Sequence, residues 1–153
     1  MGSAAERVGL DPLIRRYKQL GIDCHKMKYV EARSEKIPFP EEYFDVVCSF
    51  NSLDHVDDLG QTIQEIIRVT KPGGLFLLLT DVNHEPTACE PISFSWDIKD
   101  RFLPAFDVLH EKRYEKKSGG LYESIRAGII YDAKDVSARY GVLSVKFKRP
   151  SGK

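Results

Sequence analysis

The sequence predicts an α/β domain built on a mostly parallel sheet, and three observations carry that prediction. From Glu6 to Asp81, segments of strand and helix character run in the order strand, helix, strand, strand, helix, strand. That order suits parallel strands joined by right-handed crossovers. Leu75-Phe76-Leu77-Leu78-Leu79 is an unbroken apolar run, as in a parallel strand covered on both faces. Tyr140 to Arg149 instead alternates apolar and polar residues, the pattern of a final antiparallel edge strand.

The elements are justified in order. Glu6 to Leu10 reads as the end of a short strand leading to Asp11. Asp11-Pro12 is a helix-start signal, with Asp as the cap and Pro at the first helical position. Leu13, Ile14, Tyr17 and Leu20 recur at helical spacing, and Gly21 supplies the stop. Lys26 to Glu31 alternates as a second strand, and Ala32 to Lys36 is a loop. Ile37-Pro38-Phe39-Pro40 is extended, because each proline disfavours helix in the residue before it. Glu41-Glu42-Tyr43 turns the chain.

Phe44 to Phe50 is apolar and β-branched, with the length of a buried strand. Asn51-Ser52-Leu53-Asp54-His55 sets polar side chains just past its carboxyl end, where open parallel sheets bind ligands. Asp57 and Asp58 open a helix whose apolar stripe is Leu59, Ile63, Ile66, Ile67 and Thr70. Gln61, Gln64, Glu65 and Arg68 fall largely off that stripe. Pro72 stops the helix and Gly73-Gly74 permit a turn into the apolar run.

Val82 to Ile92 is a loop. Ser93 to Leu103 looks helical, with Phe94, Ile98 and Phe102 on one stripe and Trp96 off it, and Pro104 ends it. Phe106 to Tyr114 is a strand and Lys116 to Gly120 a break. Leu121 to Arg139 carries the weakest pattern: Gly128 to Tyr131 reads as a strand and Asp135 to Arg139 as a turn or short helix.

At 153 residues the chain is one domain by size. Residues 1–5 read as an unstructured start and 115–139 as a variable insertion before the last strand. The 42% hydrophobic and 30% charged fractions are those of an ordinary globular protein. Lys plus Arg balances Asp plus Glu, which argues against a bulk electrostatic grip on nucleic acid or membrane. Basic Lys146 to Arg149 reads as a solvated strand end. Three cysteines with no CxxC pair suggest free thiols in a reducing compartment. No apolar stretch reaches membrane-span length and no signal peptide is visible. A cytoplasmic protein is the expectation.

Four pieces in register resemble the class I S-adenosylmethionine-dependent methyltransferases. Val8-Gly9-Leu10-Asp11-Pro12 looks like the acidic end of that fold's second strand. Ser34 to Pro40 resembles the loop after its third strand. Phe44-Asp45-Val46-Val47 with Leu53-Asp54-His55-Val56 resembles its fourth strand and the segment after it. Glu65 to Gly74 looks like the helix and turn before its fifth strand. The pieces span about residues 7 to 82 and imply a Rossmann-like methyltransferase sheet with S-adenosylmethionine as cofactor and a small-molecule methyl acceptor.

The resemblance also implies roles. Position alone leaves Asp11 open between a helix cap and a carboxylate for ribose hydroxyls; the resemblance favours the ribose role, with Pro12 beside it. Ala32, Arg33 and Ser34 would meet the adenine edge. The family often places an Asp where Arg33 stands, and an arginine cannot accept a hydrogen bond, so adenine would need another acceptor there. Phe50, Asn51 and Ser52 would line the methionine moiety. His55 would sit between cofactor and acceptor as a base, since imidazole exchanges protons near neutral pH; the competing reading is a histidine that packs on the cofactor or caps the next helix. His84, Glu85, Trp96 and Tyr114 would face the substrate side, although Trp96 and Tyr114 also read as core or rim residues. The loop from His84 to Glu90 matches no standard zinc spacing, so no metal is expected.

The family's glycine-rich cofactor loop has no counterpart: the chain holds eleven glycines and no GxG triplet. The sequence reads as starting at the fold's second strand. The expectation is an incomplete sheet whose gap is covered by a partner copy, strand exchange or rearranged pairing. A non-catalytic domain that folds or oligomerises without productive cofactor binding is therefore a rival reading. A nicotinamide-dependent oxidoreductase is a third, but neither a glycine fingerprint nor a Tyr-x-x-x-Lys pair supports it.

Overall fold

The computed structural model describes residues 4–151. Its elements are β1 (Val8–Leu10), α1 (Ile14–Tyr17), β2 (Lys28–Val30), β3 (Phe44–Phe50), α2 (Leu59–Val69), β4 (Thr70–Val82), β5 (Asp107–Glu115), α3 (Leu121–Ala127) and β6 (Gly141–Lys148). The strands form two sheets. β1 and β2 pair in parallel, with Val8 opposite Lys28 and Leu10 opposite Val30. The other four strands run in the order β3-β4-β6-β5, with β3 and β4 parallel and β6 antiparallel to both neighbours. The mixed α/β architecture is thus as expected. β6 is not an edge strand, however. Its apolar alternation serves a position inside the sheet, where Val142, Leu143, Val145 and Phe147 are all buried, and β5 takes the edge.

Among the described residues no ladder joins β1 to β3. One backbone edge of each strand is unpaired. The two sheets are tied near the start of β3 instead: Tyr43 donates its hydroxyl to Glu6 Oε2 at 2.8 Å, and the Lys28 ammonium lies 5.7 Å from the centre of the Phe39 ring.

One face of the four-stranded sheet holds the main core. Phe76, Leu78 and Val82 of β4 meet Leu143, Val145 and Phe147 of β6, covered by Ile63 and Ile66 of α2 and by Phe94, Ile98, Phe102 and Phe106. Phe76 stacks on Phe147 with ring centres 5.6 Å apart and meets Phe102 at 4.9 Å. The expected stripe of Phe94, Ile98 and Phe102 is buried, but its segment forms a 3₁₀ turn from Trp96 to Arg101. The second face is covered at one end only, where Leu79, Tyr114, Leu121 and Val142 cluster under α3. Elsewhere it is open. Val46 is 46% and Phe50 45% exposed, and Leu75 and Leu77 are half-buried. The apolar run of β4 therefore predicts more cover than the described residues supply.

Helix ends explain three further differences. Asp58 caps α2, accepting the Gln61 N–H at 2.9 Å. α2 stops at Thr70, whose hydroxyl donates back to Ile66 O at 2.6 Å. β4 starts at once, and Lys71-Pro72-Gly73-Gly74 lies in an irregularity of the β3–β4 ladder rather than in a free turn. Gly74 is needed there, because a Cβ would stand 2.8 Å from Lys71 O and 3.1 Å from Asp45 O. α1 starts at Ile14, later than the Asp11-Pro12 signal, and runs as a 3₁₀ turn to Leu20 before Gly21 at φ 78°. Of its expected stripe only Ile14 is buried, while Leu20 is 78% exposed. α3 is absent from the expectation for 121–139, and Gly128 to Tyr131 contributes only an isolated bridge from Ile130 to Tyr114.

Candidate functional site

The carboxyl ends of β3 and β4 gather the polar side chains. Asn51 leaves β3 in a left-handed conformation, φ 52°, which asparagine tolerates better than most residues. Its N–H is held by Leu79 O at 2.7 Å. Its side-chain oxygen is buried and has no partner among the described residues. Ser49 and Ser52 join their hydroxyls at 2.9 Å. Leu53 to His55 then forms a 3₁₀ turn that drives Leu53 into the core and buries Asp54 completely.

Neither Asp54 oxygen has a hydrogen-bond donor among the described residues. His55 Nε2 stands 3.7 Å from Oδ1, and His84 Nε2 stands 3.9 Å from Oδ2. Burial pushes the Asp54 carboxyl above the ordinary carboxylate range. The loop that carries His84 is pinned to this turn. Ser93 donates its hydroxyl to His84 O at 2.5 Å, Asn83 donates its N–H to Phe94 O at 2.6 Å, and Ile92 donates its N–H to Asp54 O at 3.4 Å. Glu85 is exposed, and its N–H reaches the Tyr140 hydroxyl at 3.3 Å.

A second group sits at the ends of β1 and β2. Asp11 extends that ladder, donating its N–H to Val30 O at 3.2 Å. Its Oδ1 accepts the Leu13 N–H at 2.7 Å, closing a turn just before α1, whose N-cap is Leu13 and not Asp11; the other oxygen carries no bond within the described residues. Pro12 is exposed and Ala32 half-buried. Arg33 pairs with Asp57, and Ser34 shares a hydroxyl contact with Thr62 at 3.2 Å. Glu35 Oε1 accepts the N–H groups of Asp57 and Asp58 at 2.7 and 3.2 Å. The loop after β2 is thereby braced on the start of α2.

The brace continues at Glu65, which sequence spacing puts off the apolar stripe. It is buried because it serves the proline loop. Glu65 accepts the Ile37 N–H at 2.7 Å and holds Arg68, whose guanidinium donates to Phe39 O and Ile37 O at 2.8 and 2.9 Å. Hydrogen bonding to Arg68 holds the Glu65 carboxyl below its ordinary value, against the opposing effect of burial.

Phe50, Asn51, Ser52, His55 and His84 are thus brought to one end of the parallel pair β3–β4. Trp96 and Tyr114 are not. Trp96 packs against Tyr131 at 4.7 Å, under the Arg113 guanidinium at 5.1 Å. Tyr114 belongs to the smaller apolar cluster. Sequence reasoning sets Asp54 only among the polar residues past β3, and Glu90 only in a loop without zinc spacing. No local pattern announces that Asp54 is buried between two imidazoles from different loops.

Residues 4–78 match a family of methyltransferase domains. That match supports a class I S-adenosylmethionine-dependent methyltransferase domain over just under half of the chain. A methyltransferase of Vibrio parahaemolyticus, the ubiquinone/menaquinone biosynthesis C-methyltransferase UbiE, is 38% identical over 69 residues, which is 45% of this chain and 26% of that protein. The chain thus matches about a quarter of that relative's length. The N-methyltransferase NodS of Bradyrhizobium japonicum, solved with S-adenosyl-L-homocysteine, superposes with a TM-score of 0.65 at 12% identity, covering 95% of this chain and 67% of NodS. The cyclase SpnF superposes with a TM-score of 0.67 at 16% identity, covering 98% of this chain and 68% of SpnF. Those two likenesses concern the fold alone, and between them they carry different chemistries. The methyltransferase match includes Asp11, Pro12, Ala32 to Ser34, Phe50 to Ser52 and His55. His84, Glu85, Trp96 and Tyr114 lie beyond it. No helix among the described residues is long and apolar enough to cross a membrane.

Proposed function

We propose that the chain binds S-adenosylmethionine and takes part in methyl transfer to a small molecule by in-line displacement. The observation that supports this most is the buried Asn51 oxygen, an acceptor with no donor at the carboxyl end of β3. The amino group of a methionine moiety is a donor of the required kind. Asp11 retains a carboxylate oxygen for ribose hydroxyls. Arg33 is committed to Asp57, which leaves backbone groups around Ala32 and Ser34 for the adenine edge. These residues fit the polar atoms of the cofactor.

When bound, S-adenosylmethionine supplies a methyl group already activated on a sulfonium. The protein's share is then orientation and the exclusion of water. Phe50 and Ser52 flank the Asn51 oxygen in sequence and would line the same end of β3. His55, 41% exposed at its side chain, would accept the acceptor's proton, with His84 and Glu85 on the substrate side.

The unpaired edges of β1 and β3 favour a second reading, a non-catalytic domain that oligomerises or exchanges strands without productive cofactor binding. Calorimetric titration with S-adenosylhomocysteine separates the two. Micromolar affinity abolished by Asp11→Ala supports the enzyme. Millimolar or absent affinity supports the second reading, and size exclusion with light scattering then reports whether copies associate.

A further inference from the structure

Asp54 poses an electrostatic problem that methyl transfer does not resolve. Its carboxylate is buried without a donor, and a buried charge of that kind is costly. Two imidazoles face it, but neither turns an obligatory N–H toward it. His55 Nδ1 lies 2.5 Å from Cys89 O, and His84 Nδ1 lies 3.0 Å from Glu85 O. A carbonyl oxygen only accepts, so in each neutral ring Nδ1 carries the proton and Nε2 keeps its lone pair. Acceptor therefore faces acceptor on both sides of Asp54. Glu90 adds a second carboxylate: one donor atom each from Asp54, His55 and Glu90 lies within 4.8 Å of the other two.

We propose that Asp54, His55 and Glu90 form a binding site for a divalent first-row transition cation, with the His84 imidazole beside it on the other Asp54 oxygen. Such a cation takes the His55 Nε2 lone pair and the charge of both carboxylates at once. Bonds from zinc to nitrogen or oxygen are about 2.0–2.2 Å, so two donors of one ion stand roughly 3–4 Å apart. The 3.7 Å from Asp54 Oδ1 to His55 Nε2 already meets that range. An imidazole that gives its other N–H to a backbone carbonyl is also oriented as metal-bound histidines are. The mixed nitrogen and oxygen set suits Zn²⁺, Fe²⁺, Co²⁺ or Mn²⁺ better than Mg²⁺ or Ca²⁺.

Spacing along the chain conceals this set, because its donors come from two loops after different strands. The fold supplies the convergence, through the bonds from Ser93 to His84 O and from Ile92 to Asp54 O. A bound cation takes the Nε2 lone pair that a base at His55 would use, so the two roles are alternatives. Cation binding is read without cofactor, and its failure leaves the methyltransferase reading intact.

The test uses the full chain, stripped with chelator and titrated with Co²⁺ by visible absorption and with Zn²⁺ by calorimetry. Cys24, Cys48 and Cys89 are exposed free thiols that also bind soft cations, so all three are changed to Ser in the background. One equivalent should bind, with a cobalt spectrum free of thiolate bands. Asp54→Asn, His55→Gln and Glu90→Gln should each weaken it at least tenfold, and His84→Gln, which acts only through the other Asp54 oxygen, should weaken it less. Glu90 is half-buried, so Glu90→Gln keeps the test decisive where Asp54→Asn disturbs folding. Absence of binding at millimolar cation, or an affinity unchanged in both Asp54→Asn and Glu90→Gln, overturns the site.

Discussion

The two sheets of this molecule divide its labour. The β1–β2 pair is three residues long on each strand, contains no fully buried side chain, and leads into the residues proposed for the ribose and adenine. The four-stranded sheet holds nearly all of the buried aromatic core and the polar cluster at the ends of β3 and β4. The family match covers residues 4–78, so it takes in the thin sheet whole but stops partway through β4. The part most recognisable by sequence is therefore not the part that is best packed. Family motifs record contacts with a ligand, whereas burial records contacts with the rest of the chain.

The largest expected effect sits in the thick sheet. Phe76→Ala removes a ring that is fully buried against Phe102, Phe106 and Phe147, and should cost about 3–5 kcal/mol in urea unfolding. Gly141→Ala should come next. The added Cβ would stand 2.4 Å from the Trp96 ring, and overpacking of this kind costs about 1–3 kcal/mol. Trp96 is the only tryptophan, so its emission should shift in the same variant; unchanged emission would mean that the ring has room to move aside.

Glu65→Gln tests the brace between the sheets. Loss of a charged partner for Arg68 should cost about 1–3 kcal/mol. The depressed carboxyl sets the sign of the pH effect. Stability from Glu65 is complete above the ordinary carboxylate value and is lost as pH falls through the lower folded value. Glu65→Gln should therefore lessen the destabilisation seen on acidification, which an acid titration followed by circular dichroism would register. The smallest effect belongs to β1. Leu10→Ala, at a half-buried position, should cost under about 1 kcal/mol. A cost equal to that of Phe76→Ala would erase the contrast between the sheets.

Much of the fold is legible in sequence. The apolar run, the Asp58 cap and the helical stripe lead directly to β3, α2 and β4. The features that escape depend on distant partners. Leu20 reads as part of a buried stripe, yet the helix has nothing to lay it against. Glu65 reads as a surface residue, and only the proline loop explains its burial. α3 is bracketed by Gly120 and by Gly128 at φ 67°, a pair of stop signals that a weak apolar pattern obscures. At the site, the strand-end position of Asn51 to His55 can be read from order alone. The meeting of Asp54 with His84 cannot, because it arises from how one loop is fastened to another.

The placement of β6 bears on how the molecule assembles. β4 and β5 share no hydrogen bonds, and β6 lies between them, pairing Leu75 with Lys148 and Val82 with Gly141. Until the segment from Gly141 onward arrives, β5 has no neighbour in the sheet and Phe76 lacks the ring on which it stacks. Such distant pairing slows folding, since loop closure precedes the contacts that reward it. The β3–β4 pair and α2 can form early from nearby residues, while the core they cover closes last.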